Sequence, residues 1–238
     1  MGFLYLKHER CSEAIKPVAL DTPRMLYGLN WIQEICASMV RTRKEMIEDT
    51  RHRLLAAGRQ AFASKGYAES SMDDFTANVG LTRGALYHHF GDKKGLLEAV
   101  IQQIDAETSA RLHAISAQAS STWDGFINES IAYMEMAIEP EIQRIVLLDG
   151  PAVLGNPALW SNQNACIQGT MECLEKLKSE HVIQDIEVEA TARLLNGATL
   201  SAALWIAADP QPLAALEKAK NAFVALANGL LKDSSPKA

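Results

Sequence analysis

From residue 47 onward, apolar positions recur at helical spacing, and Gly, Pro and capping residues divide the pattern into elements. Ile47, Leu54, Leu55, Gly58 and Phe62 fall on one helical face, and Gly66 is placed to end that helix. "SSMDDF" offers Ser71 as an N-cap with Asp74 three residues on, a capping-box variant that predicts a helix of about two turns to Val79. Gly80 turns the chain, and Thr82 caps a second short helix ending near His89. Phe90 points back to the core and Gly91 breaks the pattern. Asp92 then caps a long helix through about Ala119. Further helices are predicted over about Asp124–Ile138, Glu141–Asp149, Ala158–Ser179, Val188–Ala208 and Leu213–Leu231. "GPAVLGNPALW" interrupts them, and the tail "KDSSPKA" is polar. No stretch alternates at period two, so the fold class is all-α, a helix-turn-helix head over 39–97 on a larger helical body over 98–238.

Residues 1–38 carry no sustained period and include Pro17 and Pro23. Met39 opens a basic arm directly before the regular pattern. Met39 is therefore read as the biological start and 1–38 as an upstream in-frame extension; the alternative is a genuine appendage packed on the body.

The chain of 238 residues is 48% hydrophobic, enough for a substantial core. Its net charge of −6 is unevenly spread. Residues 39–98 hold ten Lys/Arg and eight Asp/Glu, whereas 99–238 hold nine and seventeen. A mildly basic head beside an acidic body suits a polyanion that touches the head alone. Cys11, Cys36, Cys166 and Cys173 form no C-x-x-C pair, which argues against a zinc ribbon or thioredoxin motif. No stretch approaches the ~20 apolar residues of a membrane span. Lys7, His8, Glu9 and Arg10 break the early apolar run, unlike a signal peptide. The expectation is a cytoplasmic protein without a membrane partner.

The segment "GLTRGALYHHFGDKKGLL" (80–97) is too short and too polar on one side to form a core of its own. Helix, Gly turn and helix form the arrangement whose second helix enters the DNA major groove with its N-terminal residues on base edges. Those residues are Thr82, Arg83 and Gly84. Arg83 can bond guanine bidentately, Thr82 can reach a base or phosphate, and Gly84 lets the backbone approach. Tyr87 and His88 suit phosphates. Lys93 and Lys94 oppose the helix dipole unless a phosphate sits at that helix start.

The run Thr82–Leu97, with "AFASKGY" and "SSMDDFTANVG" before it, resembles the DNA-binding head of the tetracycline-repressor (TetR) family of bacterial regulators. The resemblance is strong over about 47–97. It implies Ser71, Tyr87, His88 and Lys93 for phosphates, Thr82, Arg83 and Gly84 for the groove, and His89 in support of the local fold. The family often carries a second tyrosine where His88 stands. The resemblance further implies double-stranded DNA with a palindromic operator, a homodimer through the last two helices, and a mostly apolar pocket for a small organic effector.

On the body, Leu194, Ala198, Ser201, Ala202 and Trp205 share one side of a helix, and the next repeats Leu213, Leu216, Ala219, Phe223, Leu226 and Leu230. Facing a symmetric copy, they would form a four-helix bundle with Leu194, Ala198, Ala202, Trp205, Leu216 and Phe223 at the interface. A dimer would place two heads about 34–36 Å apart, one helical turn of DNA. The bland alternative makes these helices the monomer's own core. Pocket candidates are Trp123, Phe126, Tyr133, Met134, Met136, Arg144, Asp149 and Trp160, although Met and aromatic residues at helical spacing are usually core.

Other functions are weighed against this one. Cys166 and Cys173, seven residues apart, would lie about 10.5 Å apart along one helix face, too far for an internal disulfide, which leaves an intersubunit thiol sensor as one alternative. A DNA-binding regulator without an effector is another, marked by a collapsed body. Nothing resembles a nucleophile–base set, a phosphate loop or a metal spacing, and Asp73 and Asp74 sit where helix-start acids belong. No enzyme activity, cofactor or metal is expected; adjacent His88 and His89 do not share a face.

Overall fold

Local capping sets where the first helices begin. The structure, a computed structural model, describes residues 42–77 and 80–232. The reading of 1–38 and Met39 falls outside them. Thr42 and Glu45 form a reciprocal capping box at the start of α1 (Arg43–Glu69), the Glu45 N–H donating to Thr42 Oγ1 at 3.2 Å. Ser71 and Asp74 do the same for α2 (Met72–Ala77), with bonds of 2.6 and 3.2 Å. Thr82 caps α3 (Arg83–Phe90), accepting from the Ala85 N–H at 3.2 Å. Asp92 caps α4 (Lys93–Ala117), accepting from the Gly95 N–H at 2.7 Å.

The body continues with α5 (Thr122–Met136), a π-helix (Ile142–Asp149), α6 (Gly150–Leu154), a 3₁₀ turn (Pro157–Leu159), α7 (Gln163–Ser179), α8 (Val188–Ala208) and α9 (Pro212–Asn228). The segment expected as a plain interruption is therefore partly helical. Pro151 is tolerated because it stands at the start of α6, where its missing N–H has no intrahelical partner to satisfy. Upstream of it the coil widens, with the Gly150 N–H reaching the Ile145 carbonyl five residues back. Gly155, at φ 87°, ends α6, and α7 starts only at Gln163, later than its apolar pattern predicts. After α9, Leu231 pairs with Ile183, tying the chain end to the α7–α8 connection.

The described residues from Glu48 to Lys232 form one compact unit. Its main core runs without a break across residue 97, from Leu54, Phe62, Phe75, Leu86 and Leu96 to Ile101, Met134, Ile145, Ile206 and Phe223. Phe62 anchors the head, with Phe75 edge-on at 5.2 Å and Tyr67 stacked at 5.8 Å. A smaller cluster of Leu174, Leu177, Ile183, Val188 and Ala192 joins α7 to α8. Ile47, expected on the buried face of α1, is exposed.

Gly66 interrupts α1 as expected, at φ 81° and ψ 171°, a region open essentially to glycine alone. It is also crowded: a Cβ there would collide with the Arg144 guanidinium. Gly66→Ala should therefore lower folding stability by about 1–3 kcal/mol. Thermal unfolding of Gly66→Ala, Arg144→Ala and the double variant tests this. The double variant should recover the collision and keep the backbone cost; full recovery would show that the backbone carries no strain.

Candidate nucleic-acid interface and body cavity

α3 is amphipathic in eight residues. Leu86 is fully buried and Phe90 packs against the core, so the side of the helix opposite them is left outside. Thr82, Arg83 and Gly84 at its N-terminal end and Tyr87 and His88 one turn on are all exposed, Tyr87 by 55%. The structure thus gathers five of the seven residues expected to face DNA into one surface. Gly84 has no internal reason to be glycine, since a Cβ would meet nothing nearer than Thr82 Oγ1 at 3.7 Å. Ser71, also exposed, caps α2 with its hydroxyl oxygen and hydrogen-bonds the Asp74 carboxylate.

Arg83 has a partner that spacing did not suggest. Its Nε donates to Asp73 Oδ1 at 2.7 Å and its Nη2 to Asp73 Oδ2. The pair holds the Asp73 carboxyl below its usual range and raises the guanidinium, but both groups are open to water, so the pair is easily exchanged. Asp74 is held down at about 2 by Lys65 first and by Ser71 next. Lys93 is half-buried and occupied: its Nζ donates to the Ala68 carbonyl at 3.3 Å and lies 4.3 Å from the Tyr67 ring centroid. It ties α4 to the end of α1. Lys94 stays exposed.

Two residues expected at the effector pocket do something else. Arg144 donates to the Lys65 carbonyl at 2.8 Å, and Asp149 Oδ2 accepts from the Tyr67 N–H at 2.7 Å. Both reach from the π-helix to the backbone on either side of Gly66, where the turn leaves a carbonyl and an N–H without helical partners. Beside them Arg59 bonds Glu141 through Nε and Nη2, at 2.8 and 2.7 Å, and Glu107 through Nη1 at 2.8 Å. Those two carboxylates raise the Arg59 guanidinium, and Arg59 in turn lowers Glu107. Trp123, Phe126 and Met134 are also reassigned. Met134 is fully buried, and Phe126 lies between Trp123 at 5.8 Å and Phe223 at 6.2 Å, so these residues pack the core.

Tyr133 and Met136 do line a cavity, of about 30 Å³, together with Ile104, Asp105, Val146 and Ala203. That volume holds water and no organic molecule. Asp105 was missed by sequence reasoning, although "IQQIDAET" places it one step along the apolar stripe from Ile101 and Ile104. It is mostly buried, no cation pairs with it among the described residues, and burial pushes its carboxyl up to about 6. Its hydrogen-bond donor is the Asn162 amide, at 2.7 Å. Burial and the Asp105 charge raise the Tyr133 phenol far above its ordinary value. Trp160 is half-buried with its ring against Gly150, and its Nε1 has no partner; the same is true of Asn162 Oδ1. A second, open groove of about 750 Å³ lies at the α4–α5 turn, between Ser120 and Cys173.

On the last two helices the expected interface residues divide. Leu216 and Phe223 are buried in the protomer's own core through the inner face of α9, so they are not interface residues. Ala198 and Ala202 are half-buried. Leu194 and Leu226 are 74% and 66% exposed, and Trp205 and Leu213 are exposed with them, giving an outer apolar face. Cys166 and Cys173 are free thiols, and burial pushes both above their ordinary value, opposite to the lowered value of a reactive sensor thiol. Among the described residues no group of His, Cys, Asp and Glu is placed to hold a metal, and no helix is long and apolar enough to cross a membrane.

The raised Asp105 carboxyl makes a pH prediction. An unfolded chain releases this proton near 3.8 and the folded chain near 6. The folded state therefore holds the proton more tightly, and the stability this contributes is full below about 3.8 and lost as pH rises through 6. Asp105→Asn, which keeps the Asn162 bond, should gain roughly 3 kcal/mol at high pH, about half of it appearing between pH 5 and 8. Denaturant unfolding of both proteins at pH 5 and 8 checks this; a constant difference would mean that Asp105 is ionised throughout.

The comparisons with known proteins agree with this geometry. Residues 54–100 match the model of bacterial regulatory proteins of the tetR family, and 123–230 match the tetracyclin repressor-like C-terminal domain. A TetR-family transcriptional regulator from Pectobacterium atrosepticum is 48% identical, covering 83% of this chain and 100% of that one, with a TM-score of 0.75. The Transposon Tn10 TetC protein of Escherichia coli is 26% identical over 193 residues, 79% of this chain and 93% of that protein. The transcriptional regulator TtgR of Pseudomonas putida is 36% identical over 66 residues, 28% of this chain and 31% of that protein. The chain belongs to the TetR family of helix-turn-helix transcriptional regulators, and is a DNA-binding regulator and not an enzyme.

Proposed function

We propose that this regulator is a repressor that binds a palindromic operator as a homodimer and is released by a small organic effector in the body. One observation carries the DNA-reading part: α3 exposes Thr82, Arg83, Tyr87 and His88 around Gly84, a glycine that nothing inside the protein requires. On DNA, Arg83 exchanges Asp73 for a guanine edge, Tyr87 and His88 take phosphates, and Gly84 allows close approach. The outer apolar face of α8 and α9, with Leu194, Trp205, Leu213 and Leu226, supports a four-helix dimer contact.

Effector release follows from the π-helix. Val146 lines the cavity, while Arg144 and Asp149 hold the backbone around Gly66 in the head. A ligand that widens the cavity displaces this segment and α4 together, and shifts the population toward heads that no longer match the operator. The cavity's small volume favours a second reading, a regulator that needs no effector. Release of bound operator by any small molecule separates the two.

The test uses the full chain on DNA upstream of its own coding region. Wild type should protect a palindrome. Arg83→Ala should bind roughly tenfold to hundredfold more weakly and relax base preference. Gly84→Gln should fold as well as wild type or better, by about 0.5–1 kcal/mol, yet lose at least about tenfold in affinity. Undiminished binding by Gly84→Gln would remove α3 from the groove. Leu194→Arg should yield monomers in sedimentation and weaken operator binding; an unchanged sedimentation coefficient would move the interface elsewhere.

A further inference from the structure

We propose that the body cavity receives an organic cation carrying at least two N–H donors, an amidinium or a primary ammonium on an apolar group, with Asp105 as its counter-ion. The inference rests on the effector reading above and adds the ligand's chemistry to it. Ile104, Tyr133, Met136 and Val146 supply apolar and aromatic walls, and Asp105 is the acidic residue among them. The body builds a mostly buried carboxylate into this wall and gives it one neutral donor, the Asn162 amide at 2.7 Å. A carboxylate held that way is costly to the fold, since neither a cation nor water in bulk offsets its desolvation.

The donor set defines what fits. Asp105 accepts at Oδ2 from Asn162, and no bond to its Oδ1 is found among the described residues, so it has unused acceptor capacity. The two carboxylate oxygens can take two N–H groups once the Asn162 amide gives way. A cation is favoured over a neutral amide because its bond to the carboxylate is charge-assisted, roughly twice as strong as a neutral one. The Tyr133 ring beside Asp105 suits the same charge. A cation entering here replaces the Asn162 amide on Asp105. Asn162 belongs to the connection between the 3₁₀ turn Pro157–Leu159 and α7, and parting it from α4 gives the 30 Å³ cavity room to enlarge.

Three probes of one shape and different charge test this: benzamidine, benzamide and benzoate, titrated calorimetrically into the full chain at constant ionic strength. Benzamidinium should bind in the millimolar range, at least tenfold tighter than the other two, and lose at least tenfold with Asp105→Asn. Asn162→Ala, which removes the competing donor, should not weaken it. Equal binding by wild type and Asp105→Asn, or preference for benzamide or benzoate, overturns the proposal. The effector reading fails separately. A neutral or anionic compound that frees operator DNA from wild type and Asp105→Asn alike sinks the cation and leaves an effector. Absence of binding by benzamidine, with no compound releasing the operator, sinks both.

Discussion

Arg59 is the point at which the head is locked to the body. Its guanidinium lies on α1 and reaches Glu107 on α4 and Glu141 just before the π-helix, all at 2.7–2.8 Å. A bidentate guanidinium fixes orientation as well as distance, which one lysine ammonium could not do. Arg59 is only 22% exposed, so water screens these contacts less than it screens Asp73–Arg83. Around this anchor, Arg144 and Asp149 take up the backbone groups that the Gly66 turn leaves over. The head is thus held by directional bonds at one edge and by the Phe62–Leu96 core beneath. A head held by apolar contacts alone could slide; one held by directional bonds has a defined pose that can be exchanged for another.

Much of the head was legible in the sequence because its information is local. Ser71–Asp74, Thr82 and Asp92 are caps acting over three residues, and each sets a helix start where the chemistry predicts. The exposed face of α3 was legible because an eight-residue helix with Leu86 and Phe90 inward leaves little choice for the rest. The body was less legible for two reasons. Arg144 and Asp149 look like ligand residues when read among apolar neighbours, and their true partners are 79 and 82 residues away. Local patterning carries no record of such pairs. In α9, the apolar positions form a stripe too wide for one interface. Leu216 and Phe223 face the protomer's core and Leu213 and Leu226 face out, and periodicity cannot tell which neighbour covers which half.

α4 is where these features meet. Asp92 caps its first turn, Lys93 fastens that turn to the end of α1, Asp105 stands at the cavity, and Glu107 takes Arg59. From Asp92 to Asp105 is thirteen residues, about 20 Å along a stiff rod. Under the effector proposal, a displacement of α4 at Asp105 would carry Glu107 and, with no break in the helix, the base of α3 along with it. The π-helix offers a parallel route, with Val146 on the cavity and Arg144 on the head. Under the same proposal, close-packed cores resist partial shifts, so the two routes would switch between two states and not deform gradually. The size of the response has its own bound. A ligand can move the heads only by the difference in its affinity for the two arrangements. A buried carboxylate without a cation is a source of such a difference, because a ligand that neutralises it gains most in the arrangement where water is excluded.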